Sequence, residues 1–131
     1  MALRSFSPAR GYHPEALAVV LGGRWRNQLG SELVLEPESD GNLRGTYRTA
    51  TGAGTEVAAP VHGSWDPGAG GDCVVVGFAV AWRTVHAVTT WCGRYRAVED
   101  TIEASWLMSS ETDPHDDWRS TFTGHDVFHR G

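Results

Sequence analysis

From Arg24 onward the chain repeats one arrangement: a short run rich in Val, Thr, Trp and Tyr, then a cluster of Gly, Asp, Pro or Ser. No long stretch holds a helical period. The body is therefore expected to be all-β, with strands near 24–29, 31–36, 42–50, 56–65, 73–83, 86–97, 100–109 and 118–128. Asp40-Gly41 marks a hairpin, because that pair tolerates the positive φ angles of a tight turn. Thr51-Gly52-Ala53-Gly54-Thr55 and Asp66-Pro67-Gly68-Ala69-Gly70-Gly71-Asp72 are loops by composition, placed where lids would sit. Eight short antiparallel strands suit an up-and-down β-barrel, which leaves no unpaired edge; a sandwich is the alternative. A length of 131 residues suits a single core, so 23–131 is assigned to the barrel and 1–22 to an N-terminal extension.

Arg4 and Arg10 precede a short apolar run, Ala16-Leu17-Ala18-Val19-Val20-Leu21, in the manner of a secretory signal. Tyr12-His13-Pro14-Glu15 interrupts the approach and no small-residue cleavage site precedes Gly22-Gly23, so a loose tail or short helix is the preferred expectation. No apolar stretch is long enough for a membrane-spanning helix. With 11 Lys and Arg against 16 Asp and Glu, the chain lacks the basic face that phosphate binding needs, which argues against nucleic acid. Cys73 and Cys92 match no zinc or redox spacing, and their offset along the fifth and sixth runs argues against a bridge within that hairpin. Free thiols are expected, with an inter-subunit bridge through Cys92 as the alternative. His62, His86, His115, His125 and His129 show no metal-ligand spacing, and Asp113-Pro114-His115-Asp116-Asp117 reads as a solvated turn, so no metal is expected.

Strand side chains alternate between two faces. In the fifth run Val76, Phe78, Val80 and Trp82 share one face, and Val75, Gly77, Ala79 and Ala81 the other. Both faces are apolar. In the sixth, Thr89, Trp91 and Tyr95 oppose Val88, Thr90 and Cys92, whereas the third run carries Arg44, Thr46 and Arg48 outward. The outer face of runs five and six is thus expected to pack on another subunit.

The same count turns an unusual set inward: Trp25, Asn27, Leu29 and Ser31; Tyr47 and Thr49; Thr89 and Trp91; Trp106, Met108 and Ser110; and Asp126 between Phe122 and Phe128. Singly, most have a bland explanation. Asn27 and Ser31 satisfy turns, Tyr47 can be a core aromatic, and Thr is common in strands. Asp126 differs, because an inward carboxylate between Phe residues must be paired or hydrogen-bonded. A ring of polar groups in an apolar barrel calls for a ligand or ordered water. Catalysis is not expected: Ser31, His125 and Asp126 are the tempting set, but adjacent His125 and Asp126 point to opposite faces.

Gly23-Arg24-Trp25-Arg26-Asn27-Gln28-Leu29-Gly30-Ser31, Gly41-Asn42-Leu43-Arg44-Gly45-Thr46-Tyr47, Val80-Ala81-Trp82-Arg83, Thr89-Thr90-Trp91-Cys92-Gly93, Trp106-Leu107-Met108, Trp118-Arg119-Ser120-Thr121 and Gly124-His125-Asp126 occur in this order. As an ordered set from Gly23 to about Phe128 they resemble the avidin and streptavidin family. The resemblance implies high-affinity, non-covalent binding of biotin in the barrel mouth, without enzymatic activity or cofactor. It implies that Asn27, Ser31 and Tyr47 donate to the ureido oxygen and that Thr49 and Asp126 accept from the ureido N–H groups. Thr89 would meet the thioether sulfur, Trp82, Trp91 and Trp106 would wall the ring and tail, and Met108 would stand where the family commonly has Leu. Trp118 would reach a neighbouring subunit's site in a homo-oligomer, with a tetramer favoured over dimers or larger rings, and the setting would be extracellular. Trp25 and Trp65 are left to core packing.

Two departures fall at the carboxylate end. Ala87 stands where the family's Ser binds the biotin carboxylate, and the loop around Ala53, whose backbone is the other carboxylate contact, is one residue longer. The head group is expected to be held normally and the tail less tightly. The rival is a lipocalin-like carrier of another small hydrophobic ligand, because Gly23-Arg24-Trp25 also fits that group's first strand. Its short length and polar ring weigh against it.

Overall fold

A strand that buries every second side chain closes into a barrel when its neighbours do the same. In a computed structural model, which describes residues 14–50, 57–69, 73–115 and 120–131, the chain does this eight times. The strands are β1 (Gly23–Arg26), β2 (Glu32–Pro37), β3 (Asn42–Arg48), β4 (Ala58–Asp66), β5 (Val74–Trp82), β6 (Ala87–Arg96), β7 (Thr101–Ser110) and β8 (Thr121–Arg130), after one helix, α1 (Pro14–Leu21). Each strand pairs antiparallel with the next, and β8 returns to β1, giving a closed up-and-down barrel. The sandwich is thereby excluded.

The inward parity holds in β5, where Val74, Val76, Phe78 and Val80 are buried while Val75 is exposed. Trp25, Leu33, Val61, Ile102 and Phe128 are fully buried; each such side chain contributes roughly 1.5–3 kcal/mol through burial. At inward positions Gly45, Gly63 and Gly93 a Cβ would overlap backbone of the adjacent strand, so these glycines let the wall curve tightly. Gly41, at φ 100°, turns the Glu38–Asn42 connection, and Asp40 Oδ1 accepts from Asn42 N at 2.9 Å.

Strand boundaries depart from expectation by up to three residues, most at the first and last strands. The first strand stops at Arg26 instead of 29, because Asn27 Oδ1 accepts from both Leu29 N (3.1 Å) and Ser31 N (2.9 Å) and folds the segment into a turn. Leu29, expected inward, is therefore 74% exposed. The last strand runs to Arg130 rather than ending near 128, and Phe122, also expected inward, is half exposed near its start. The stretch 1–13, the 51–55 loop and Trp118 lie outside the described residues. Cys73 and Cys92 are exposed free thiols. Among the described residues no helix is long and apolar enough to cross a membrane.

One end of the barrel is sealed by α1. Leu21 is buried, Leu17 and Ala18 pack on the core, and Trp25 Nε1 donates to Leu21 O at 3.0 Å. Arg130 binds the helix end from β8, donating to Val20 O (2.7 Å) and Gly22 O (3.0 Å) while its guanidinium lies 3.9 Å from the Trp25 ring centroid. It also pairs with Asp100 at 2.9 Å, and Tyr95 Oη donates to the same carboxylate oxygen. The hydrogen bonds from Arg130 and then Tyr95 hold the Asp100 carboxyl below its ordinary 3.8.

Arg130→Ala is expected to lower stability by about 1–2 kcal/mol and to strip hydrogen-exchange protection from α1. Because the Asp100 value is lowered on folding, its contribution is present above pH 3.8 and lost as pH falls through the lowered value. The stability advantage of the wild type over the variant should therefore narrow as pH falls below 3.8. Identical thermal and acid unfolding curves for the two proteins would contradict this.

Candidate functional site

The opposite end of the barrel holds a cavity of about 190 Å³ lined by Asn27, Leu29, Ser31, Tyr47, Trp82, Thr89, Trp91, Trp106, Met108 and Asp126. Nine of the twelve residues singled out in the sequence meet here. The volume is small for a ligand pocket and suits a compact group. A larger hollow of about 560 Å³ lies on the outer wall between Asp40, Trp65, Val75 and Cys92. It lacks a converging set of buried polar groups, so the smaller cavity is the candidate.

Asn27 organises one wall. Its Oδ1 is consumed by the turn it makes, which fixes the side chain and aims Nδ2 at Tyr47 Oη, 3.3 Å away. Ser31 Oγ accepts from Ala50 N at 3.2 Å, so its hydroxyl proton is available for another acceptor. Tyr47 accepts from Asn27 and keeps its own phenolic proton. Burial raises the Tyr47 pKa above 10.0; the bond from Ser31 opposes that rise, the Asp126 charge adds to it, and the bond from Asn27 opposes it more weakly. The phenol therefore remains a donor at neutral pH. An amide and two hydroxyls converge on one region from β3 and the β1–β2 turn.

Across from them lies Asp126, only 4% exposed. Trp91 Nε1 donates to its Oδ2 at 2.9 Å and Gln28 Nε2 to its Oδ1 at 2.8 Å. Two carboxylate oxygens offer about four lone-pair sites, so capacity to accept remains after both bonds. Donors on one side and an acceptor on the other suit a planar ligand group that carries a carbonyl oxygen and an N–H together.

Aromatic rings form the remaining walls. Trp91 stacks against Tyr47 (4.9 Å between centroids) and Phe78 (5.0 Å), and Tyr47 meets Trp82 edge-on at 5.7 Å. Trp82 Nε1 donates to Thr89 Oγ1 at 2.9 Å, tying the rim tryptophan to β6. Trp106 lies flat against Gly124, where any Cβ would strike the indole. Ala87, next to Trp82 in register, is buried and apolar.

Thr49 is not brought into this ring. Its hydroxyl donates to Val57 O (3.3 Å) and accepts from Val57 N (3.2 Å), bracing the loop that begins after Thr49. Ala53 and Trp118 lie outside the described residues. Gln28 is the residue that sequence reasoning missed, since strand parity turned it outward. The signal was Asn27 three residues before Gly30, a turn pattern that ends the alternation. Among the described residues no group of His, Cys, Asp and Glu could hold a metal ion.

The profile of the avidin family matches residues 15–131. Avidin of Gallus gallus is 32% identical over 117 residues, covering 84% of this chain and 77% of that protein. Avidin-related protein 4/5 and avidin-related protein 7 of the same organism are 31% and 30% identical, with the same coverage.

Gly124→Ala is expected to push the Trp106 indole into the cavity and to cost about 1–3 kcal/mol of stability. Thermal unfolding and tryptophan fluorescence report both effects. An unchanged melting temperature with an unchanged spectrum would show that the indole does not rest on Gly124.

Proposed function

Because this chain belongs to the avidin family, we propose that it binds biotin non-covalently and with high affinity in the cavity between Asn27 and Asp126, as a binding protein and not an enzyme. The observation that carries the reading is the opposed arrangement of three donors and a buried carboxylate inside aromatic walls. A ureido group has a carbonyl oxygen flanked by N–H groups, and these two ends match the two walls. Asn27, Ser31 and Tyr47 donate to the oxygen. Asp126 accepts from one N–H; Thr49 accepts from the other once its hydroxyl turns from Val57 toward the cavity.

Because the donors are held in place before the ligand arrives, little ordering entropy is lost on binding. Trp82, Trp91, Trp106 and Met108 then cover the apolar part of the ligand, with Thr89 facing the sulfur. At the tail, Ala87 offers no hydroxyl, so the carboxylate depends on the backbone near Ala53. The exposed Val75, Val88 and Leu107 on the outer wall support assembly with further copies of the chain, a homotetramer in our reading, in which Trp118 completes a neighbour's site. A lipid carrier would gain nothing from a buried carboxylate opposite three donors.

The protein should be retained on immobilised biotin and released by free biotin, with one biotin per chain by calorimetry. Asp126→Ala should weaken binding roughly 10- to 100-fold, the range for one charge-assisted hydrogen bond. A wild-type protein that ignores biotin would refute the proposal.

The raised Tyr47 value gives a second expectation. A raised value keeps the donor form, and any stability linked to it, fully present below pH 10.0 and loses it as pH rises through the folded-state value. Affinity should therefore hold from neutral pH past 10 and fall above it, while Tyr47→Phe should bind more weakly without that alkaline fall. A wild-type decline that begins near pH 8 would contradict the assignment.

A further inference from the structure

β1 is the shortest strand, and its pairing with β8 covers two positions, Trp25 with Arg130 and Arg26 with His129, plus one bond from Gly131 N to Arg24 O at 3.0 Å. Carried two positions further in the same register, Gln28 would face Val127. The Asn27 turn instead pulls the backbone away, and the Gln28 side chain supplies what the backbone would have given. Its Oε1 accepts from Val127 N at 3.1 Å and its Nε2 donates to His125 O at 3.3 Å. A primary amide carries the same donor and acceptor pair as a peptide group, so Gln28 extends the ladder by its side chain. The same Nε2 carries a second hydrogen and donates it to Asp126 Oδ1 at 2.8 Å, on the carboxylate that faces the cavity.

We propose that Gln28 is a positioning residue that ties closure of the β1–β8 seam to the aim of the Asp126 carboxylate, so that filling the cavity locks the seam. The ligand half of this statement rests on the biotin reading; the positioning half does not. Asp126 has two protein donors, one on each oxygen. Trp91 sits on the long, fully paired β6 and is held by stacking against Tyr47 and Phe78. Gln28 sits in a turn beside the shortest strand. If the seam frays, the Gln28 bond goes first and the carboxylate is left to swing about Trp91. A ligand N–H that needs Asp126 in one orientation therefore favours the closed seam by the same free energy that the closed seam adds to binding. The coupling runs through one amide and three bonds.

The groups around Asp126 keep a pH test interpretable. β3 presents Tyr47, whose own value lies above 10.0; β6 and β7 present Trp91, Ala104 and Trp106, which do not titrate. On β8, His125 and His129 are exposed, and on β1 Arg26 is exposed and paired with Glu32.

The test uses the full chain and two variants, Gln28→Met and Gln28→Glu. In the free protein, Gln28→Met should speed hydrogen exchange at the Val127 amide tenfold or more while leaving β5–β6 amides protected. It should also move the Asp126 carboxyl ¹³C resonance at neutral pH, because one of the two donors to the carboxylate is gone. In wild type, biotin should slow exchange along β1 and β8, and Gln28→Met should release biotin roughly tenfold faster. Gln28→Glu still accepts from Val127 N but sets two carboxylates side by side. Its biotin affinity should therefore be poor at neutral pH and recover on acidification, as one proton becomes shared between the pair. A merely structural glutamine gives no such recovery.

Wild-type exchange at Val127 and an unmoved Asp126 carboxyl resonance in Gln28→Met would overturn the positioning role. So would a Gln28→Glu affinity that is flat or falls with acid. If wild type fails to bind biotin while Gln28→Met still frees Val127 and shifts Asp126, the biotin reading fails and the positioning role stands. If Gln28→Met does not fold, the acid recovery of Gln28→Glu decides alone.

Discussion

A carboxylate inside an apolar barrel is costly unless its oxygens are occupied, and the arrangement of the cavity end follows from how Asp126 is satisfied. Trp91 and Gln28 each donate to it. To deliver its N–H, Trp91 must keep one orientation, and Tyr47 and Phe78 stack against it to hold it there. To deliver its amide, Gln28 must leave the strand path, and the Asn27 turn makes that possible. The same turn points Asn27 Nδ2 toward Tyr47. One buried charge thus links the aromatic wall, the donor wall and the seam.

The two ends of the barrel solve different problems with the same strands. At the closed end large apolar side chains fill the space, and α1 covers them under the grip of Arg130 on Val20 and Gly22. At the open end the inward positions carry Asn, Ser, Tyr, Thr and Asp, each already bonded to protein, with no buried side-chain polar atom left unpartnered among the described residues. A site satisfied in advance does not need to reorganise for its ligand. That property suits a protein whose proposed work is retention and not turnover.

Much of this was legible in the residues because a strand's period of two is unforgiving. Parity alone placed Trp91, Thr89 and Tyr47 inward and marked Asp126 as the inward residue needing an explanation. Gly41 and its neighbours located a turn. What escaped has physical causes. Asn27 competes with the strand by binding Leu29 N and Ser31 N, so alternation fails after Arg26, Leu29 swings to solvent and Gln28 enters the carboxylate network. Thr49 has inward parity, but parity could not show that its hydroxyl bonds to both Val57 N and Val57 O. Parity alone gives no reason for the glycines at 45, 63 and 93; the backbone of the adjacent strands fills the space a Cβ would take.

The central claim is that opposed donors and a buried carboxylate recognise the two ends of one ureido group. A crystal structure of the protein with biotin tests it most directly. The account predicts the ureido oxygen within about 3 Å of Asn27 Nδ2, Ser31 Oγ and Tyr47 Oη, and one ureido nitrogen at a similar distance from Asp126. Biotin bound with its ring reversed, or seated in the outer hollow beside Cys92, would contradict it.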